Sequence, residues 1–259
     1  MKRFSILVIS WDGGSELWEP FAQSFSKYWP DCKLELFLVT QTLPSKFPGI
    51  FRKVLWYGNV TWTERLNKAI NEVGCENVIL FCDDFFLNRK VNQCKIDKIL
   101  YDFSLSTWSC LQLYATSRLK TNSEYVKRDV KSLFIISTAA ALWKSSVLSE
   151  LTSDIKLSAR NFEVVKSREV NSRSDLTIMI SIKSPIRYYH AVLEGYWRVI
   201  PLFFCKVNGF PITFNIYKRP NLIHAIFSTV KSVIFRIALN LFPSILRKLY
   251  SGDIFGKCL

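Results

Sequence analysis

The chain has 259 residues, 49% hydrophobic and 22% charged, which excludes a disordered chain and suffices for one large core with at most a small appendage. Lys and Arg outnumber Asp and Glu by 35 to 21, a net charge of +14 that favours anionic partners; with no basic run longer than a pair and no zinc-finger or aromatic RNA-binding signature, nucleic acid is not the expected one. Seven cysteines without a C-x-x-C pair suggest neither a disulfide framework nor a zinc knuckle, and fit a reducing cytoplasm.

The start "MKRFSILVISWDGG" has the basic tip and apolar run of a secretion signal, but no small-x-small cleavage site follows, so Phe4 to Ser10 reads as a first strand. Turn residues Asp12 to Ser15 lead into Leu17, Trp18, Phe21, Phe25, Tyr28 and Trp29, a helical spacing that tolerates Pro20 only near the first turn. Leu34 to Thr40 is a second strand, and a Pro-rich connection reaches a third near Lys53 to Tyr57. In "TWTERLNKAINEV", Thr61 and Glu64 have capping-box spacing, and Trp62, Leu66, Ala69, Ile70 and Val73 share one helical face. "NVILFCDDFF" then runs from an apolar core, the mark of a strand buried on both faces, straight into Asp83 and Asp84. A helix near Lys95 to Phe103, strands near Cys110 to Thr116 and Leu133 to Ser137, and a helix through "AAALWKSSVLSEL" follow. The segment from Lys156 to Arg173 is polar, and "DLTIMISI" returns to strand composition.

Near residue 200 the character changes. Residues 1–200 are read as the main domain and residues 201–259 as a basic, apolar extension. Within it, Ile223 to Leu241 keep one helical face, interrupted by Lys231 and Arg236 and ended by Pro243. That pattern suits a helix lying on an anionic membrane surface better than a span; burial against the domain or a partner is the alternative.

Phosphate-loop, dinucleotide, nucleophile-elbow and H-E-x-x-H motifs are absent, and both histidines read as structural: His224 lies in the apolar extension, His190 at a strand end or in the core. Carboxylate chemistry remains. Paired acids at the carboxyl end of a central strand stand where open α/β sheets bind ligands, although such acids also cap turns. Their charge serves a diphosphate only through a bound Mg²⁺ or Mn²⁺, for which a nucleotide-sugar is a natural companion.

The blocks "SWDGGSELWEPFAQSFSKYWPDC", "WTERLNKAI", "VILFCDDFFL", "ALWKSSVL", "NFEVVKSREVNSRS" and "HAVLEGYW" occur in an order that resembles bacterial glycosyltransferases of cell-surface polysaccharide synthesis. The resemblance covers roughly residues 4 to 200. It implies a GT-A-like, Rossmann-like α/β fold with a mixed, mostly parallel sheet flanked by helices. It further implies a nucleotide-diphosphate-sugar donor, a divalent metal, and a saccharide or lipid-linked acceptor. By position, Asp84 would hold the metal, Asp83 the metal shell or donor ribose, and Asp12 the donor base or ribose. Glu163 would be the general base of an inverting displacement, and Arg168 would reach the diphosphate. Cys82 replaces a first acid, and Arg160 and Asn161 replace Pro-Trp. The expected protein is a cytoplasmic enzyme at the inner face of the plasma membrane. The alternatives are a nucleotidyltransferase or phosphohydrolase on the same metal and diphosphate, or a catalytically silent subunit of a polysaccharide assembly.

Overall fold

Uninterrupted apolar runs make strands that must be covered on both sides, and the molecule is arranged around three of them. The computed structural model describes residues 3–114, 122–128, 135–153 and 155–220. Strand β1 (Phe4–Ile9) is followed by a 3-10 turn over Asp12–Leu17 and helix α1 (Trp18–Tyr28), with Pro20 in its first turn as expected. Strands β2 (Leu36–Thr40) and β3 (Phe51–Trp56) precede α2 (Trp62–Val73). The capping box is present in full: Thr61 accepts from the Glu64 N–H, and Glu64 accepts from the Thr61 N–H. Gly74, at φ 62°, closes the helix in the left-handed conformation. Strand β4 (Asn77–Cys82) turns at Asp83 and Asp84 into the short β5 (Phe85–Leu87), and α3 (Gln93–Leu105) follows.

Strands β6 (Cys110–Gln112), β7 (Tyr125–Lys127) and β8 (Ala141–Lys144) come next, then α4 (Ser145–Ser153) and α5 (Ala159–Asn171). The chain continues through β9 (Ile178–Ser181), β10 (Tyr188–His190), β11 (Val192–Leu193), β12 (Tyr196–Trp197) and α6 (Val199–Asn208). Eight strands form one mixed, mostly parallel sheet in the order β3-β2-β1-β4-β8-β6-β9-β7; β8 lies antiparallel between β4 and β6, and β7 antiparallel to β9.

Alternation along β1 divides the core. Ile6 and Val8 face a layer containing Phe21, Phe25, Phe81, Phe103 and Trp197, whereas Leu7 and Ile9 face one containing Leu66, Ile70, Leu148, Phe162 and Val170. Helices thus cover both faces, as a parallel sheet requires.

Two local expectations are corrected. "AAALWKSSVLSEL" is not one helix: Ala141–Lys144 is a sheet strand, and the helix begins at Ser145. A short apolar run has no period that separates strand from helix, and the open slot between β4 and β6 decides it. Residues 135 and 136 are buried bends and 137 is irregular, not a strand, and 133–134 lie outside the described residues. The polar segment near Lys156 contains α5, capped by Ser158 and buried along Phe162, Lys166, Ser167 and Val170.

Residues 201–220 pack on the domain. Glu16 accepts hydrogen bonds from the Thr213 hydroxyl and from the N–H groups of Asn215, Ile216 and Tyr217, fastening this strap across the amino-terminal turn. The expected membrane-surface helix, with His224, lies outside the described residues. Among the described residues no helix is long and apolar enough to cross a membrane.

Candidate functional site

Parallel pairing of Ile9 with Cys82 brings the carboxyl ends of β1 and β4 together, so Ser10 and Asp83 become neighbours. The Ser10 hydroxyl donates to Asp83 Oδ2 and accepts from Trp18 Nε1 at 2.7 Å. Gly14 passes so close that a Cβ there would overlap Asp83 Oδ2. Gly14→Ala is therefore expected to cost about 1–3 kcal/mol by forcing this packed contact apart, read as a lower Tm.

Asp83 is 7% exposed. Burial, and then the charge of Asp84, push its carboxyl up to about 8 despite the Ser10 hydrogen bond. The folded value exceeds the unfolded one, so folding takes up a proton. The resulting stability is complete below the unfolded value near 4 and is lost as pH rises through the folded value. With chelator present, Tm is expected to fall between about pH 4 and about pH 8, and Asp83→Asn should flatten that fall.

Asp84 is half-buried and lines the clefts at the sheet edge. Its carbonyl accepts from the Ala191 N–H at 2.8 Å, and its carboxylate lies 3.6 Å from His190 Nδ1. That approach follows from the β5–β10 ladder, in which His190 pairs with Phe85. His190 is at a strand end, as one of its sequence readings had it, but beside the candidate metal residue rather than away from chemistry.

Two clefts meet at Asp84, Cys82, Val192 and Tyr217. The first, about 550 Å³, lies over the ends of β1, β2 and β4 and is walled by Ser10, Trp11, Gln41, Trp62, Arg65 and Asp83. The second, about 1510 Å³, is lined by Glu163, Tyr114, Arg89, Lys183, Arg187 and His190 among others.

Glu163 is fixed in place. From α5, its Oε1 accepts from the Ser137 hydroxyl at 3.1 Å, the Thr138 hydroxyl at 2.9 Å and the Thr138 N–H. These donors orient the carboxylate at the wall of the second cleft.

Two expected ligands stand elsewhere. Asp12 accepts from the N–H groups of Gln41 and Thr42 at 3.1 and 3.0 Å and from the Thr42 hydroxyl at 2.7 Å. Burial pushes its carboxyl up, but these hydrogen bonds outweigh burial and hold it below its ordinary value. Asp12 thus clamps the loop after β1 to the loop after β2 and is not among the residues lining either cleft, while Gln41, which it fastens, is. Arg168 lies on the exposed side of α5 and also lines neither cleft.

Arg65 is the residue that sequence reasoning missed. It is 6% exposed on α2, lines the first cleft, and its Nε and Nη1 have no hydrogen-bond partner among the described residues. Burial depresses its pKa, while Asp12 and Asp83 act in the opposite sense. The available signal was an arginine three residues after Trp62 and four before Ala69, within an otherwise apolar helical stripe.

Among the described residues, no three His, Cys, Asp or Glu side chains converge into a metal cage. Asp83 gives one oxygen to Ser10, and Cys82 is a thiol whose pKa burial, and then the charges of Asp84, Asp83 and Glu163, raise well above the usual value. Asp84, with His190 beside it, fits a hard cation that takes one or two protein ligands and completes its shell with ligand oxygens and water. It does not fit a closed structural site.

No family model and no curated protein matches the sequence. Among solved structures, the mannosyltransferase PcManGT from Pyrobaculum calidifontis, in complex with GDP-Man and Mn²⁺, is similar with a TM-score of 0.50 at 14% identity, over 75% of this chain and 58% of that one. A 1–349 fragment of S. aureus TarS gives 0.46 at 14% identity, over 72% and 59%. CMP:2-keto-3-deoxy-manno-octonic acid synthetase complexed with CTP gives 0.47 at 13%, over 80% and 98%. The chain spans less than two thirds of the mannosyltransferase and of the TarS fragment. At these identities the likeness is one of fold alone, the α/β fold the chain shares with that mannosyltransferase.

Proposed function

We propose that the protein is a metal-assisted glycosyltransferase that moves a sugar from a nucleotide-diphosphate donor to a saccharide or lipid-linked acceptor in bacterial surface polysaccharide synthesis. The carrying observation is Asp84 at the junction of two clefts, one holding a buried arginine with two nitrogens unpartnered among the described residues and the other a clamped carboxylate. In this reading the first cleft takes the nucleotide, with Arg65 as its polar anchor and Trp11, Trp62 and Tyr217 as apolar walls. The second takes the acceptor. Exposed Arg89, Lys183 and Arg187 on its wall favour an acceptor bearing phosphate or carboxylate.

Asp84, with His190 within reach, would hold Mn²⁺ or Mg²⁺, which neutralises charge on the departing diphosphate when bound. Glu163 accepts the proton of the acceptor hydroxyl as its oxygen bonds to the anomeric carbon and the carbon–diphosphate bond breaks, giving inversion. The three donors on Glu163 Oε1 keep that carboxylate in one orientation, which a base needs.

The test is thermal shift against UDP-, GDP-, CMP- and dTDP-sugars, with and without Mn²⁺, on the native protein and Asp84→Asn. A ligand at about 100 times its Kd adds about 2.7 kcal/mol. Stabilisation by one nucleotide class that requires metal and vanishes in Asp84→Asn is expected. No response from an intact fold, or a response indifferent to metal and to Asp84, would refute the reading.

A further inference from the structure

Helix α6 is apolar on two faces, of which the described residues cover one. Pro201, Leu202 and Cys205 are buried, and Phe204 packs on the Tyr28 ring at 5.8 Å, so one face is already seated on the domain. Lys27 Nζ donates to Asn208 Oδ1 at 2.7 Å and secures the end of the helix. The opposite face presents Val199, Ile200, Phe203 and Val207, exposed by 51, 63, 67 and 68%. Positions 199, 203 and 207 step by one turn, and 200 lies beside them, so the four make one continuous ridge. They account for four of the thirteen large hydrophobic residues exposed among the described residues, on a helix of ten. A surface helix ordinarily turns such a stripe inward, and an outward one marks an interaction surface.

The charge around the ridge selects its occupant. From Gly195 to Pro220 the sequence contains four Lys or Arg and no Asp or Glu. Exposed Arg198 precedes the helix, exposed Lys206 lies within it, and exposed Lys218 and Arg219 follow on the strap. An apolar ridge with cations before, within and after it along the chain is the chemistry of an interface with anionic lipid, where side chains enter the acyl boundary and the cations meet headgroups. We propose that α6 is a membrane-docking ridge, seating the folded domain on an anionic bilayer through Val199, Ile200, Phe203 and Val207. The α1 contacts make it a fixed part of the domain, so docking sets how the clefts are presented to the surface. A seat independent of the region after residue 220 follows.

The test is co-sedimentation of the full chain with vesicles of phosphatidylcholine alone and of an equal mixture with phosphatidylglycerol. The double variant Phe203→Ser/Val207→Ser is compared with the conservative Phe203→Leu, all checked for native Tm and far-ultraviolet circular dichroism. Native protein and Phe203→Leu are expected to bind the anionic vesicles, more weakly in high salt, and the double variant to bind about tenfold more weakly or less. Equal binding by the double variant would overturn the proposal. So would a native dimer that the double variant splits, which would assign the ridge to a second copy. Loss of Tm with unchanged vesicle binding would assign it to cover by residues 221–259, and would overturn it equally.

Discussion

Glu163→Gln is expected to lower kcat about 10²- to 10⁴-fold while leaving nucleotide-sugar stabilisation of the fold unchanged. The amide keeps the shape of the side chain, and its carbonyl oxygen can still accept from Ser137 and Thr138, so the wall of the second cleft should survive. What is lost is a basic oxygen for the acceptor proton. The measurement is steady-state transfer with the donor found by thermal shift, alongside donor affinity. A variant that loses donor binding as well would show Glu163 to be structural, and one with native kcat would remove it from the chemistry.

The second large effect has opposite signs in two assays. Arg65→Met is expected to weaken nucleotide-sugar binding about 10- to 150-fold, the worth of one or two charge-assisted hydrogen bonds. The ligand-free fold should meanwhile be as stable as the native one, or more so. Arg65 is buried with two nitrogens unpartnered among the described residues, so a thioether of similar length removes a desolvated charge and leaves little void. A structural arginine would behave otherwise, with Tm falling. Isothermal titration of the donor and Tm without ligand, on the same preparations, separate the two roles. A lower ligand-free Tm with unchanged affinity would make Arg65 a core residue and leave the first cleft without its anchor.

Much of the fold was legible because local patterns carried it. The continuous apolar runs of β1, β2 and β4 called for a sheet covered on both faces, and the Thr61–Glu64 spacing placed the start of α2 to the residue. The position of Asp83 and Asp84 at the carboxyl end of β4 was equally plain. Where the pattern was short, it misled. Ala141–Lys144 satisfies either period, and only insertion between β4 and β6 makes it a strand. The candidate site was legible in outline and not in detail. Asp83 and Asp84 are adjacent in sequence yet differ in environment, one against Ser10 and Gly14 and the other open to two clefts. Asp12 and Arg168 had suitable chemistry in suggestive places, but Thr42 and Gln41 occupy the first, and the outward face of α5 carries the second away.

The sequence by itself determined the elements, their caps and the strand end at which polar groups gather, because each depends on neighbours a few residues apart. The tertiary structure alone decided which of those groups meet. His190 reaches Asp84 through a pairing with Phe85 across a hundred residues of chain, Glu163 is oriented by donors on the loop at 137–138, and Arg65 is aimed into a cleft by the packing of α2 on the sheet. Such contacts depend on loop closure and on burial shared among distant segments, and no local period records them.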